Sequence, residues 1–323
     1  MKISLEQAAA LIREGKLAAF PTETVYGLGA NALDAAAVAK IFELKGRPAS
    51  SPLIVHVSSI AMAREIVADW PPEADELARR YWPGPLTLVL PKSPKIPDIV
   101  TAGLPTVGIR VPAHPVAIGL IEAAGVPIAA PSANRFMGLS PTTAEHVMEA
   151  FGDEVPVLDG GECPVGIEST VVSIADGKVT LLRPGMISLG DSQASTPSPS
   201  VTLGSPAAIE AGTAHPSPGM HPRHYSPRTR LIVVPGPNHL PDRYGAYLWR
   251  KKPGLTARSV RMPMNLEAFA HRWYSVLHDL DGEGWPWIAV EALPDKPEWA
   301  ALRDRVERAS SPIRQGGASS TPD

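Results

Sequence analysis

The chain has 323 residues, 44% of them hydrophobic, enough to fill one large domain and one small one with apolar core. A formal net charge of -3 excludes a protein coated in basic surface for nucleic acid, while leaving room for a local basic groove. Cys163 is the single cysteine, which excludes a disulfide framework and a cysteine-rich zinc site and points to a reducing cytoplasm.

At the N-terminus, Glu6, Arg13, Glu14 and Lys16 interrupt the apolar stretch, so neither a signal peptide nor a membrane span is expected. Ser4-Leu5-Glu6-Gln7 has the form of a capping box, and Ala8, Leu11 and Ile12 continue at helical spacing until Gly15. Residues 17–20 predict a short strand stopped by Pro21. The polar loop Thr22-Glu23-Thr24 then leads into Val25-Tyr26-Gly27-Leu28-Gly29, whose glycines allow close backbone approach. Residues 34–44 predict a helix, with Lys45 and Arg47 just past its end. A β-branched strand over 53–57 carries His56.

Residues 61–82 read as helical with a proline break at Pro71-Pro72, followed by strands over 86–90 and 106–111. Thr142-Thr143-Ala144-Glu145 is expected to be a second capping box, opening a helix that Gly152 closes. A hairpin over Asp176-Gly177 joins 169–174 to 179–182. Strands and helices mix without strict alternation, which favours an α/β or α+β domain with a sheet of mixed strand direction, over 1–190.

Residues 191–227 form a Ser/Pro-rich linker, too poor in large apolar side chains to order itself, which ends in His224-Tyr225-Ser226-Pro227. A strand over 231–234, an amphipathic helix over 266–280, a strand over 287–290 and a final helix over 299–309 suffice for a small α/β domain over 228–311. Its segment 236–261 is weakly patterned. Arg303, Arg305 and Arg308 are expected on a solvated helix face, and 312–323 as a disordered tail.

Two strings are odd for their surroundings: Lys45-Gly46-Arg47-Pro48, and Pro131-Ser132-Ala133-Asn134 directly behind the apolar run 126–130. A Lys and an Arg two apart across a glycine can converge on one multiply charged ligand, the Arg as a planar fork and the Lys as a point charge. A Ser and an Asn behind a buried strand sit where open α/β sheets place ligands. The pair points to a nucleotide or similar phosphate-bearing substrate. Cys163 has no activating pattern around it and reads as a loop or core residue.

These strings belong to a longer series. Phe20-Pro21-Thr22-Glu23-Thr24-Val25-Tyr26-Gly27-Leu28, Lys45-Gly46-Arg47-Pro48, Ser51-Pro52-Leu53, Pro83-Gly84-Pro85-Leu86-Thr87, Gly108-Ile109-Arg110-Val111-Pro112, Pro131-Ser132-Ala133-Asn134 and Glu168-Ser169-Thr170-Val171 occur in the order found in the YrdC-like family. With His224-Tyr225-Ser226-Pro227 and the final helix, the chain resembles that family's long two-domain form, the threonylcarbamoyl-AMP synthases. The resemblance implies a YrdC-like mixed twisted sheet with flanking helices and a small C-terminal Rossmann-like domain. It implies a nucleotidyltransferase that joins L-threonine, bicarbonate and ATP, with Mg²⁺, into threonylcarbamoyl-AMP and pyrophosphate.

In the family's manner, Lys45, Arg47, Ser132 and Asn134 are the expected catalytic set. Ser51, Thr106, Ser140 and Arg183 join them around ATP, with His224 and Tyr225 closing as a lid. Thr24, His56, Arg110, Ala130 and Ser169 fall on the threonine side, Arg110 being the natural partner of a carboxylate. Downstream tRNA threonylcarbamoyltransferase proteins are the implied partners, with direct tRNA contact left open and no membrane involved.

Each assignment has a plainer rival. Lys45 and Arg47 suit a helix C-terminus anyway, Ser132 and Asn134 could cap a turn, and His56 could be a satisfied core residue. Thr24 and Ser169 could be ordinary strand-end hydroxyls, and His224-Tyr225 a packed turn. Two rival functions are an RNA-binding module without catalysis, which the charge disfavours, and the same adenylate chemistry on another acceptor.

Overall fold

The computed structural model describes residues 1–189, 201–203 and 224–311. The rest of the expected linker and the expected tail lie outside those residues.

The first capping box forms: Gln7 N donates to Ser4 Oγ at 3.3 Å, and Ser4 N donates to Gln7 Oε1 at 2.8 Å. In chain order the first part contains β1 (Lys2–Ile3), α1 (Leu5–Arg13), β2 (Ala18–Phe20), β3 (Gly27–Asn31), α2 (Ala35–Lys45) and β4 (Ile54–His56). There follow α3 (Ile60–Glu65), α4 (Pro72–Tyr81), β5 (Leu86–Pro91), α5 (Asp98–Thr101), β6 (Thr106–Arg110), α6 (Pro115–Ala124) and β7 (Ile128–Ala129). Last come α7 (Ala144–Phe151), β8 (Val157–Leu158), β9 (Thr170–Ala175), β10 (Lys178–Arg183) and β11 (Val201–Leu203).

The strands form one sheet in the order β1-β8-β2-β3-β7-β4-β6-β5-β9-β10-β11. Strand direction is mixed: β4 and β6 run parallel, whereas β3 and β4 both run antiparallel to β7. Side chains alternate across it as the two-residue period requires. Ala19 joins a core with Leu28, Ile41 and Val55, while Ala18 and Phe20 join Ile12, Leu120 and Ile121 on the other face. Helices therefore cover both faces.

Several expectations shift. The helix before the basic string ends on Lys45 itself, and Gly46 caps it in the left-handed region at φ 62°, so only Arg47 lies beyond. The single broken helix over 61–82 is two helices, since Val67 leaves to bridge Lys92. The second capping box does not form: the cap moves one residue on, to Thr143, whose Oγ1 accepts from His146 N at 3.3 Å, and Glu145 pairs with Lys2. The hairpin turn is as expected, with Asp176 and Gly177 both at positive φ.

The second part contains β12 (Leu231–Val234), β13 (Ala246–Trp249), β14 (Arg258–Arg261), α8 (Leu266–Glu283), β15 (Ile288–Glu291) and α9 (Ala300–Ala309). Its sheet, β12-β15-β13-β14, is parallel throughout. The weakly patterned segment thus holds two strands. Ala246, Tyr247 and Leu248 are all buried, so no alternation marks them.

The two parts share apolar core, with Val25, Leu139 and Ile167 packed among Tyr225, Trp273 and Leu277. Gly166, at φ 82°, lies against α8 so closely that a Cβ would meet Ala270 O at 2.6 Å. The expected solvated arginine face is wrong: Arg305 is 0% exposed, and Arg303 and Arg308 are partly covered. Its cause is the neighbouring domain, which supplies Arg305 with a buried carboxylate. Among the described residues no helix is long and apolar enough to cross a membrane.

Candidate active site

The site forms at the carboxyl ends of β4 and β6, where His56 and Arg110 stand side by side in register. Three further segments converge there. The turn before β3 is tied by Thr22 Oγ1, which lies 2.8 Å from Thr24 Oγ1 and 2.7 Å from Val25 O. The segment behind β7 is held to it by a bridge between Gly27 and Ser132. Finally, antiparallel β9 and β10 bring Ser169 to Arg183, whose Nε donates to Ser169 O at 3.1 Å and Nη2 to Ser169 Oγ at 3.1 Å.

These groups enclose a cavity of about 60 Å³. Of the residues named from the sequence, Thr24, Arg47, His56, Arg110, Ala130, Ser132, Ser169, Arg183, His224 and Tyr225 line it. Lys45, Ser51, Thr106, Asn134 and Ser140 do not. Lys45 Nζ donates to Ser132 O at 2.6 Å and also to Asn134 O, clamping the second string to the end of α2. The two odd strings therefore meet, but through the lysine rather than around a free ammonium. Ser51 O accepts from Arg47 Nε at 3.4 Å. Ser140 Oγ donates to Glu168 Oε1 at 2.6 Å, and Thr106 sits opposite Pro91 at the far end of β6 from Arg110.

Positive charge is concentrated here. Lys45, Arg47, Arg110 and Arg183 are all buried. Burial, then the charges of Arg47 and Arg135, pushes the Lys45 ammonium well below its ordinary range. Burial lowers Arg47 to about 10, and it lowers Arg183 as well. Glu23 answers one of these cations, with Oε2 at 2.7 Å from Arg110 Nη2, while Arg110 Nη1 donates to Thr24 Oγ1 at 2.9 Å. The carboxylate that does line the cavity, Glu168, is already paired with Arg305 at 2.8 Å. An excess of buried cations calls for an anionic ligand.

Hydrogen-bonding capacity is also left over. Beyond the Glu23–Arg110 ion pair, Glu23 Oε1, His56 Nδ1 and Asn134 Oδ1 are buried without a hydrogen-bond partner. Such atoms are rare in folded proteins and gather at ligand sites. Burial, then the Arg110 charge, holds His56 at about 3, so its imidazole is neutral. Cys163 lies outside the cavity lining, and burial pushes its thiol up, which removes it as a nucleophile.

Tyr225 closes one side, fully buried and at φ 61°, a strained setting for an aromatic residue. Its hydroxyl accepts from Arg183 Nη1 at 3.4 Å, and its ring stands edge-on to His224 at 4.1 Å. The sequence reading missed Glu23, Glu168, Tyr274 and Arg305. The two glutamates sat inside quoted strings, beside Thr24 and Ser169. Tyr274 and Arg305 gave no local signal, since only the packing of the two parts brings them to the site.

Residues 10–185 match a family model described as telomere recombination, and residues 191–311 match one described as threonylcarbamoyl-AMP synthase, C-terminal domain. A threonylcarbamoyl-AMP synthase of Pyrococcus abyssi is 42% identical over 323 aligned residues, covering 94% of this chain and 93% of that protein. One from Bacillus subtilis is 40% identical, covering 95% of this chain and 92% of that protein. The crystal structure of P. abyssi Sua5 complexed with L-threonine superposes with a TM-score of 0.86 at 38% identity, over 96% of this chain and 97% of that one.

Proposed function

The chain belongs to the threonylcarbamoyl-AMP synthase family, and we propose that its cavity joins L-threonine, bicarbonate and ATP into L-threonylcarbamoyl-AMP and pyrophosphate. It is thus an adenylate-forming enzyme. The product serves downstream tRNA threonylcarbamoyltransferase proteins, which modify the adenosine next to the anticodon. The observation that carries this reading is the excess of buried cations over free carboxylates around one cavity.

Arg110 takes the threonine carboxylate from the cavity wall, its fork held in place by Thr24 at Nη1 and by the Glu23 ion pair at Nη2. His56, neutral and with Nδ1 unpartnered, faces the same substrate, and Ala130 and Ser169 shape its pocket. Threonine's amine bonds to the bicarbonate carbon, the carbon–hydroxyl bond breaks, and the hydroxyl leaves as water with the proton lost from nitrogen, giving a carbamate. A carbamate oxygen then bonds to the α-phosphorus of ATP, and the bond to the leaving pyrophosphate breaks. No protein nucleophile is needed. The protein positions reactants and neutralises charge.

Arg47 and Arg183 supply that charge beside Lys45, whose lowered pKa a polyanion would reverse. Ser132, on the cavity wall, completes the nucleotide's surroundings, whereas Ser51, Thr106, Asn134 and Ser140 lie outside that wall. Among the described residues no group of three His, Cys, Asp or Glu is arranged to hold a metal. Magnesium enters with ATP, on its phosphate oxygens. A cavity of about 60 Å³ is small beside the roughly 300 Å³ of the smallest common ligand pockets. His224 and Tyr225 therefore swing out to admit ATP and return to exclude water, which decomposes both carbamate and mixed anhydride.

Pyrophosphate release with each substrate omitted in turn tests this. We expect release only with threonine, bicarbonate, ATP and Mg²⁺ together. Equal release without threonine or without bicarbonate would refute it.

A further inference from the structure

Glu168 lines the cavity, yet residues of the second domain hold it. Arg305 Nε, on α9, donates to Glu168 Oε2 at 2.8 Å, and the Tyr274 hydroxyl, on α8, reaches Oε1 at 3.1 Å and Oε2 at 3.2 Å. Ser140 Oγ completes the shell at 2.6 Å. With both oxygens engaged, this carboxylate holds neighbours in place rather than moving a proton. Burial alone would lower the Arg305 pKa, but Glu168 and Asp304 override it and raise it, so the guanidinium stays charged. Its central carbon also stands 5.4 Å from the Tyr225 ring centroid. From there the contacts run on through Tyr225 to Arg183 and Ser169.

We propose that Arg305 and Tyr274 are positioning residues of the nucleotide half of the site, acting through Glu168 and the Tyr225 ring. The inference rests on the functional reading above and assigns the second domain a part in it: the back wall that receives Tyr225 when the lid closes and so fixes Arg183. A purely structural ion pair between domains would predict lost stability alone.

The full chain carrying Arg305→Met, Arg305→Lys or Tyr274→Phe is compared with wild type by calorimetric titration with MgATP and, separately, with threonine. Thermal unfolding is recorded for each. We expect Arg305→Met to weaken ATP binding by about tenfold, the lower end of what a charge-assisted bond contributes, with threonine affinity changed by less than about threefold. Arg305→Lys recovers part of the loss. Tyr274→Phe weakens ATP by about threefold, less than the full worth of a hydrogen bond to a carboxylate because the effect is relayed through Glu168.

Folded variants with lowered melting temperature but unchanged ATP affinity overturn the proposal. If Arg305→Met does not fold, Tyr274→Phe, which removes only a hydroxyl, decides by the same criterion. Wild-type protein that binds no ATP overturns the functional reading and this inference with it. Wild-type binding matched by the folded variants overturns this inference alone.

Discussion

Arg110 owes its role to where its strand ends. Buried beside His56 at the edge of the sheet, it donates to Thr24 Oγ1 and Gly84 O and pairs with Glu23. A lysine has no planar fork to serve these partners and a substrate carboxylate together. We therefore expect Arg110→Lys to raise the KM for threonine about tenfold or more, the equivalent of one charge-assisted hydrogen bond, with little change in the KM for ATP. Unchanged threonine kinetics would remove Arg110 from that subsite. Arg47→Ala and Lys45→Ala should each cost about 1.5 to 3 kcal/mol in kcat/KM for ATP. Arg47 acts from the cavity wall, and Lys45 by releasing Ser132 and Asn134. Near-normal kinetics in both would contradict the nucleotide assignment. The motif strings made the cations of this site legible, but not their partners. Nothing local in Lys45-Gly46-Arg47 says that the ammonium is spent on two carbonyls, because those belong to a segment nearly ninety positions on.

At the scale of elements, helices with one wet face were legible, and so were strands with a β-branched run even where both faces are buried, whereas elements with neither sign were not. Leu5–Arg13 and Leu266–Glu283 have apolar positions at helical spacing and capped starts, and both form. Pro115–Ala124 escaped because its apolar residues run almost all round, and Ala246–Trp249 because burial on both faces removes alternation. Between α7 and α8 the rings of His146 and His278 stack at 3.8 Å across the domain boundary. Burial, then the neighbouring His278, lowers His146 to about 3, and burial lowers His278 too. An unfolded histidine titrates near 6.5, so below that pH the unfolded chain binds more protons. The stack's contribution is whole above pH 6.5 and is lost as pH falls toward 3. At pH 5 the loss for His146 alone is about 2 kcal/mol. Melting temperature should accordingly drop between pH 7 and pH 5, and drop less in His146→Gln. Equal melting temperatures at the two pH values would show that the stack does not resist protonation.

For the molecule as a whole, the division into a larger and a smaller α/β part was legible from composition and element order. Their union was not. An arginine-rich final helix reads as a solvated face until Glu168 of the other part is placed against it. The shared core and the converging cations make one pocket, lined from both parts. The claim tested most directly is that the bicarbonate carbon ends between threonine and AMP. Mass spectrometry of the product formed from threonine, MgATP and ¹³C-bicarbonate decides it: the account predicts an adenylate carrying one ¹³C between the threonine nitrogen and the phosphate. An adenylate of threonine without the label would contradict it.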